Sequence, residues 1–172
     1  MKEKISFAPE KCTACGACAV ACMDENDIDI QGGQQPYRRI YRYEGEGELL
    51  SLSIACLHCP DAPCANACPQ GCLHYNIDTG LTTLENESCI GCKACFRACP
   101  YGAPTFRPTG EPRPKCKMEK CHGCSGRVQA GLIPACVRAC PTGALAFGLQ
   151  EEKTSSSLGL LYRKWSASNP IY

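Results

Sequence analysis

Apolar and polar residues alternate along this chain only in short stretches, so the pattern predicts small hairpins and single-turn helices rather than one large sheet or bundle. Leu73, His74, Tyr75 and Asn76 alternate, Asp78-Thr79-Gly80 turns the chain, and Leu81 to Leu84 runs back, which predicts a β-hairpin. A second hairpin is predicted between Gln31 and Ser53, a stretch rich in Tyr, Arg and Ile with a turn at Gly45-Glu46-Gly47. Ala19-Val20-Ala21, Ala65-Asn66-Ala67, Phe96-Arg97-Ala98 and Val137-Arg138-Ala139 are helix-compatible, and Pro69, Pro100 and Pro141 halt the last three. The first has no such proline and is followed by Met23-Asp24-Glu25-Asn26-Asp27, so its helix is expected to run further. Pro104, Pro108, Gly110, Pro112 and Pro114 predict an extended connector.

The helix-compatible runs all lie inside cysteine combs. The combs are Cys12, Cys15, Cys18, Cys22; Cys56, Cys59, Cys64, Cys68; Cys89, Cys92, Cys95, Cys99; and Cys121, Cys124, Cys136, Cys140. Spacings of the C-x2-C-x2-C-x3-C type let a chain wrap three thiolates around one iron-sulfur cube and lend the fourth to a neighbour. Eighteen cysteines in 172 residues would also suit a disulfide scaffold. Pairs only two residues apart are too close to be bridged to one another sensibly, and that argues against it. Tetrahedral zinc uses pairs of C-x2-C knuckles, whereas three cysteines at C-x2-C-x2-C crowd one zinc and leave a thiol unused.

Hydrophobic residues are 44% of the chain, but with the cysteines set aside only roughly a third of it remains to be buried, a thin core. Metal-ligand bonds are therefore expected to supply much of the folding free energy, and an iron-free form is not expected to fold stably. Eighteen Lys and Arg against 17 Asp and Glu leave a net charge of +1 with no basic stripe, so no nucleic-acid partner is expected. No run approaches the ~20 apolar residues of a transmembrane helix, and Met1 to Glu10 lacks the apolar region of a signal peptide. The expectation is a chain without direct membrane insertion or signal peptide of its own, cytoplasmic or exported folded with a partner that carries the signal. No nucleophile with a general base, phosphate-cradling loop or dinucleotide fingerprint is present, so no catalytic residue is assigned. His58, His74 and His122 are not placed as the paired histidines of a Rieske centre. Lys93, Arg97, Arg127 and Arg138 lie in or beside combs, where positive charge would raise a cluster potential unless the side chains are solvated or salt-bridged.

The segment from Cys56 to Pro100 resembles a bacterial two-cluster ferredoxin, in which the fourth cysteine of each comb crosses to the other cluster. On that resemblance one cluster takes Cys56, Cys59, Cys64 and Cys99, and the next takes Cys89, Cys92, Cys95 and Cys68. The same crossing gives Cys12, Cys15, Cys18 with Cys140, and Cys121, Cys124, Cys136 with Cys22. The implied fold class is α+β, two ferredoxin-like two-cluster domains, one inserted within the other, with a β-hairpin insertion, and the two ends of the chain should meet. Residues 1–50 and 109–150 form the outer domain, 51–108 the inner, and 151–172 a tail that could dock a partner. Cys72 and Cys116 are left as non-ligands. Cys116, Cys121 and Cys124 do make the plant-type C-x4-C-x2-C spacing of a two-iron cluster, but that assignment would strand Cys140 and leave Cys22 unserved.

The ordered set of four combs resembles the four-cluster iron-sulfur (beta) subunits of the molybdopterin oxidoreductase family, of dimethyl sulfoxide, polysulfide and thiosulfate reductase and formate dehydrogenase type. The matching stretches include Cys12-Thr-Ala-Cys15-Gly-Ala-Cys18, Cys89-Ile-Gly-Cys92-Lys-Ala-Cys95 and Lys120-Cys-His-Gly-Cys124. The resemblance implies four [4Fe-4S] clusters that relay electrons to or from a catalytic subunit with a molybdenum or tungsten pterin, often with a membrane anchor that exchanges electrons with quinone. The compact chain also resembles small subunits that connect a formate dehydrogenase to a hydrogenase. A free-standing soluble polyferredoxin is the remaining alternative.

Overall fold

The computed structural model describes residues 2–45, 47–109 and 115–149. The tail proposed for docking, residues 151–172, lies outside the described residues, as do Glu46 of the predicted turn and residues 110–114 of the predicted connector. Strand β1 (Glu3–Phe7) leads to helix α1 (Ala17–Glu25), the hairpin of β2 (Arg39–Gly45) and β3 (Glu48–Ile54), and helix α2 (Pro63–Asn66). The hairpin of β4 (Leu73–Asn76) and β5 (Leu81–Leu84) follows, then helix α3 (Ala94–Ala98) and strands β6 (Thr105–Thr109) and β7 (Lys115–Glu119). Helices α4 (Ser125–Gln129) and α5 (Ala135–Arg138) and strand β8 (Leu145–Leu149) complete the order.

All strands pair antiparallel and two by two: β1 with β8, β2 with β3, β4 with β5 and β6 with β7. The ladder of β1 and β8 sets Glu3 opposite Leu149 and Phe7 opposite Leu145, so the two ends of the described chain do meet. Helices α1 and α5 pack on each other, with α5 against β8 of this ladder, and α2 and α3 pack on each other with α2 against β4. The first helix continues past Cys22 to Glu25, and Asn26 ends it by donating its side-chain amide to the Cys22 carbonyl at 2.7 Å, which satisfies an orphan acceptor of the last turn.

The proline-rich stretch near residue 108 differs from expectation. It is extended, but β6 pairs with β7 from Thr105 opposite Glu119 to Thr109 opposite Lys115, so the expected connector is one arm of a hairpin. Pro108 fits because alternate N–H groups of a two-stranded ribbon point outward: the Met118 N–H, opposite Phe106, leaves the ribbon for Cys89 Sγ, and Pro108, two residues on from Phe106, shares that outward parity and costs no ladder bond. A boundary between residues 108 and 109 would cut across that arm. Helix α4, between Cys124 and Cys136, is also additional to the predicted elements.

The apolar interior is split in two. One cluster of buried residues comprises Phe7, Cys18, Leu52, Ile54, Cys136, Ala144 and Leu145; the other comprises Cys64, Leu73, Cys95 and Met118. Strand β3 is buried on both faces, with Leu52 and Ile54 on one side and Ser51 and Ser53 on the other. Buried serines need partners, and the Ser53 hydroxyl accepts from Arg38 Nη1 at 3.1 Å.

Candidate metal centres

Backbone conformation recurs from comb to comb. The residue just before the second cysteine has positive φ in all four: Ala14 at 54°, His58 at 50°, Gly91 at 69° and Gly123 at 70°. This left-handed residue lets two thiols three positions apart face one point, and glycine adopts it without steric cost. At Gly91 no side chain is possible, because a Cβ there would lie 2.3 Å from the Cys116 carbonyl oxygen. A second repeat, Cys-Pro-x-Gly, follows the last cysteine at 68–71, 99–102 and 140–143. It folds the backbone back on the sulfur: the Cys72 N–H donates to Cys68 Sγ at 3.3 Å, and the Ala103 N–H to Cys99 Sγ at 3.4 Å.

The thiols gather in four places. One cavity of about 300 Å³ is lined by Cys12, Cys15, Cys18 and Cys140. Another of about 300 Å³ is lined by Cys22, Cys121, Cys124 and Cys136 together with Arg38, Asn26 and His122. A third of about 320 Å³ is lined by Cys68, Cys89, Cys92 and Cys95, with Cys72 beside them. Cys56, Cys59, Cys64 and Cys99 form the fourth group: burial pushes the Cys59 thiol up to about 11, and Cys56, Asp61, Cys99 and Cys64 add to the shift. Each group thus draws cysteines from two combs. Cys116, half-buried in β7 opposite Pro108, lines none of the three cavities.

The groups form a row. Cys18 and Cys136 share one buried cluster, which puts the first group beside the second. Cys56 acts electrostatically on Cys121, which links the second group to that of Cys56, and Cys64 and Cys95 share the other buried cluster, which links that group to the last. Of the sixteen comb cysteines only Cys15 and Cys92 are exposed, one in each end group.

The donor set fits iron-sulfur cubes. All eighteen cysteines are free thiols, and among the described residues no three His, Cys, Asp or Glu converge on a single point. The thiols instead surround a space and receive backbone N–H groups, including Met118 N–H to Cys89 Sγ and Gly123 N–H to Cys121 Sγ, each at 3.4 Å. Such N–H···S bonds are what a cluster's sulfurs receive, spreading their negative charge onto the backbone. Burial pushes the Cys22 thiol up to about 12, with Cys121 adding to it, so this thiol yields its proton only to a strong competing cation. Partial burial raises the Cys68 and Cys140 thiols, but backbone N–H donors, those of Cys72 and Leu145 foremost, outweigh it and hold both below the ordinary value. The Cys72 thiol goes the other way, pushed up to about 11 by burial and by hydrogen bonding with Cys68.

The charges named from the sequence sit outside. Lys93, Arg97 and Arg138 are exposed, Lys93 over the Phe106 ring at 5.8 Å, and Arg127 is paired with Glu25 at 2.9 Å. Among the described residues the buried cations are Arg38 and Lys120, each 4% exposed and neither assigned a role from the sequence. Arg38 Nη1 donates to Ser53 O at 3.2 Å and Ser53 Oγ at 3.1 Å, and Ser53 Oγ lies 3.4 Å from Cys18 Sγ. Lys120 Nζ donates to the carbonyls of Thr82 and Cys121. It lies near enough to Cys56 and Cys64 to stabilise both thiolates. In the sequence Arg38 is one arginine of the predicted Gln31 to Ser53 hairpin, and Lys120 is the residue that precedes the fourth comb.

The histidines are structural. Buried His58 accepts the Thr82 N–H at Nδ1, 3.0 Å, and burial, then Lys120, push its pKa down to about 3. His122 Nε2 lies 2.7 Å from Asn26 Oδ1, tying the fourth comb to the end of α1, and His74 is exposed in β4. No helix among the described residues is long and apolar enough to cross a membrane.

Known proteins carry the same signature. Residues 47–150 match the family described as 4Fe-4S dicluster domain, and residues 9–23 match a 4Fe-4S binding domain. The chain is 40% identical over 155 residues to the probable anaerobic dimethyl sulfoxide reductase chain YnfG of Escherichia coli K12, covering 83% of this chain and 71% of that one. It is 36% identical over 172 residues to the formate dehydrogenase iron-sulfur subunit of Wolinella succinogenes, 90% and 82% covered. It is 33% identical over 172 residues to the arsenate respiratory reductase iron-sulfur subunit ArrB of Shewanella sp. ANA-3, 73% and 72% covered. With ferredoxin-like halves and thiol-lined cavities fitted to cubane clusters, the chain belongs to the 4Fe-4S dicluster family, among the iron-sulfur subunits of the dimethyl sulfoxide reductase and formate dehydrogenase type.

Proposed function

We propose that this chain is a non-catalytic electron-transfer subunit that holds four [4Fe-4S] clusters in a row and serves a catalytic subunit carrying a molybdenum or tungsten pterin. The cavities support this reading most directly, since each is lined by cysteines of two combs. Cys12, Cys15, Cys18 and Cys140 hold one cluster, and Cys22, Cys121, Cys124 and Cys136 the second. Cys56, Cys59, Cys64 and Cys99 hold the third, and Cys68, Cys89, Cys92 and Cys95 the fourth. When bound, each cluster supplies a one-electron carrier. The protein's own part is to present thiolates, to aim N–H groups at sulfur and to keep water from the buried members. One ferredoxin-like unit, carrying the second and third combs, is inserted in the other, which carries the first and fourth, and the β1–β8 ladder supports this nesting.

Cys72 and Cys116 stand outside the ligand set; the raised Cys72 thiol beside the lowered Cys68 thiol favours Cys68 as the thiolate. The substrate is chosen by the partner subunit. Iron and acid-labile sulfide analysis with electron paramagnetic resonance of the reduced protein tests the cluster count, and mass spectrometry of co-purifying chains tests the partner. Cys140→Ser is expected to damage the cluster held by Cys12, Cys15 and Cys18 while that of Cys121, Cys124 and Cys136 persists. Loss of the latter instead would overturn the crossed pairing.

A further inference from the structure

Arg38 occupies a position that ligand assignment does not explain. Its guanidinium is buried between the first two thiol groups and lines the cavity of Cys22, Cys121, Cys124 and Cys136. On that side it interacts with Cys136 and Cys121, while its own backbone N–H serves Cys22. On the other side it holds Ser53 by two hydrogen bonds, and the Ser53 hydroxyl lies against Cys18 of the first group. Among the described residues its Nε has no hydrogen-bond partner, and no carboxylate pairs with it. A buried cation without a carboxylate is costly unless negative charge of another kind faces it. Thiolate-bound clusters supply that charge, and a cluster gains one negative charge on reduction.

We propose that Arg38 is a buried positive hub that raises the reduction potentials of the first two clusters of the row together, acting directly on that of Cys22, Cys121, Cys124 and Cys136 and through Ser53 on that of Cys18. The inference rests on the ligand sets proposed above. A fixed positive charge in a medium of low dielectric stabilises the reduced, more negative state of each cluster within reach. Water and salt screen the exposed Lys93, Arg97 and Arg138 but not Arg38. The third and fourth clusters, beyond Lys120, lie outside this contact set.

The test is redox titration followed by electron paramagnetic resonance on the full chain carrying Arg38→Gln, Arg38→Lys or Ser53→Ala, with iron and sulfide content measured on the same preparations. In Arg38→Gln, two of four midpoints are expected to fall by about 59 mV or more, a tenfold change in a one-electron equilibrium. These are the two whose signals disappear in Cys18→Ser and Cys136→Ser, and Arg38→Lys should recover most of the shift. Unmoved midpoints, an equal fall in all four, or a Lys variant that behaves like Gln would overturn the proposal. Ser53→Ala should lower only the midpoint of the cluster at Cys18. Should Arg38→Gln not load its iron, that variant decides alone, and an unmoved midpoint there overturns the hub. Unmodified protein short of four clusters would bring down the functional reading and this one with it, whereas full iron with unmoved midpoints removes only this one.

Discussion

The half of the molecule built on β1, α1, the β2–β3 hairpin, α5 and β8 and the half built on α2, the β4–β5 hairpin and α3 carry the same comb chemistry on unequal cores. In the first, the buried Cys18 and Cys136 sit among the buried Phe7, Leu52, Ile54, Ala144 and Leu145; in the second, the buried apolar neighbours of Cys64 and Cys95 are Leu73 and Met118. The long β2–β3 hairpin makes the difference, since Leu52 and Ile54 come from it. Where apolar burial is scarce, metal ligation carries more of the folding free energy. The two halves should therefore respond differently to the loss of iron.

Removal of iron by a chelator under reducing conditions is the strongest way to break this comparison. The cooperative thermal transition should disappear, and amide protection should vanish from residues 73–84 and 94–98 before residues 39–54. Protection lost in the reverse order, or an iron-free form with native circular dichroism, would contradict the unequal dependence. Next in size, Leu52→Ala and Met118→Ala each remove a fully buried side chain, at about 2–5 kcal/mol by denaturant titration. During chelation, amide protection of residues 48–54 should still respond to Leu52→Ala, whereas Met118→Ala should find no protected segment left at residues 73–84 to affect.

Gly91→Ala and Ala14→Gly compare the same comb position in the two halves. The first places a Cβ against the Cys116 carbonyl at positive φ and should cost roughly 2–4 kcal/mol. The second relieves left-handed strain and should change stability by less than about 1 kcal/mol, toward the stable side. Smallest of all, Cys72→Ser should leave iron content unchanged, and loss of a cluster's worth of iron would move Cys72 into the ligand set.

The sequence made the combs legible because ligand geometry demands short fixed spacings, and it made the β4–β5 hairpin legible because Asp78-Thr79-Gly80 has few other uses. The β6–β7 pairing was hidden by Pro108, which reads as a strand breaker although a two-stranded ribbon tolerates it. Arg38 and Lys120 were invisible for another reason. A cation's burial depends on what packs over it, and here that cover comes from β3 for Arg38 and from β5 for Lys120. The Cys-Pro-x-Gly repeat was present to be read, and its meaning, N–H groups returned to the last sulfur of a comb, needed the backbone.

The ladder that sets Ser6 beside Ala146, 140 residues apart in sequence, also bears on how the chain is born. A ribosome adds about 5–20 residues each second, so β1 waits many seconds for its partner strand while the segment from Cys56 to Cys99 is already complete. Closing so long a loop carries a large entropic cost until the intervening chain has compacted. The nascent chain thus spends its longest interval with Cys12, Cys15 and Cys18 exposed and unfinished, the period in which iron delivery and protection from oxygen matter most to its survival.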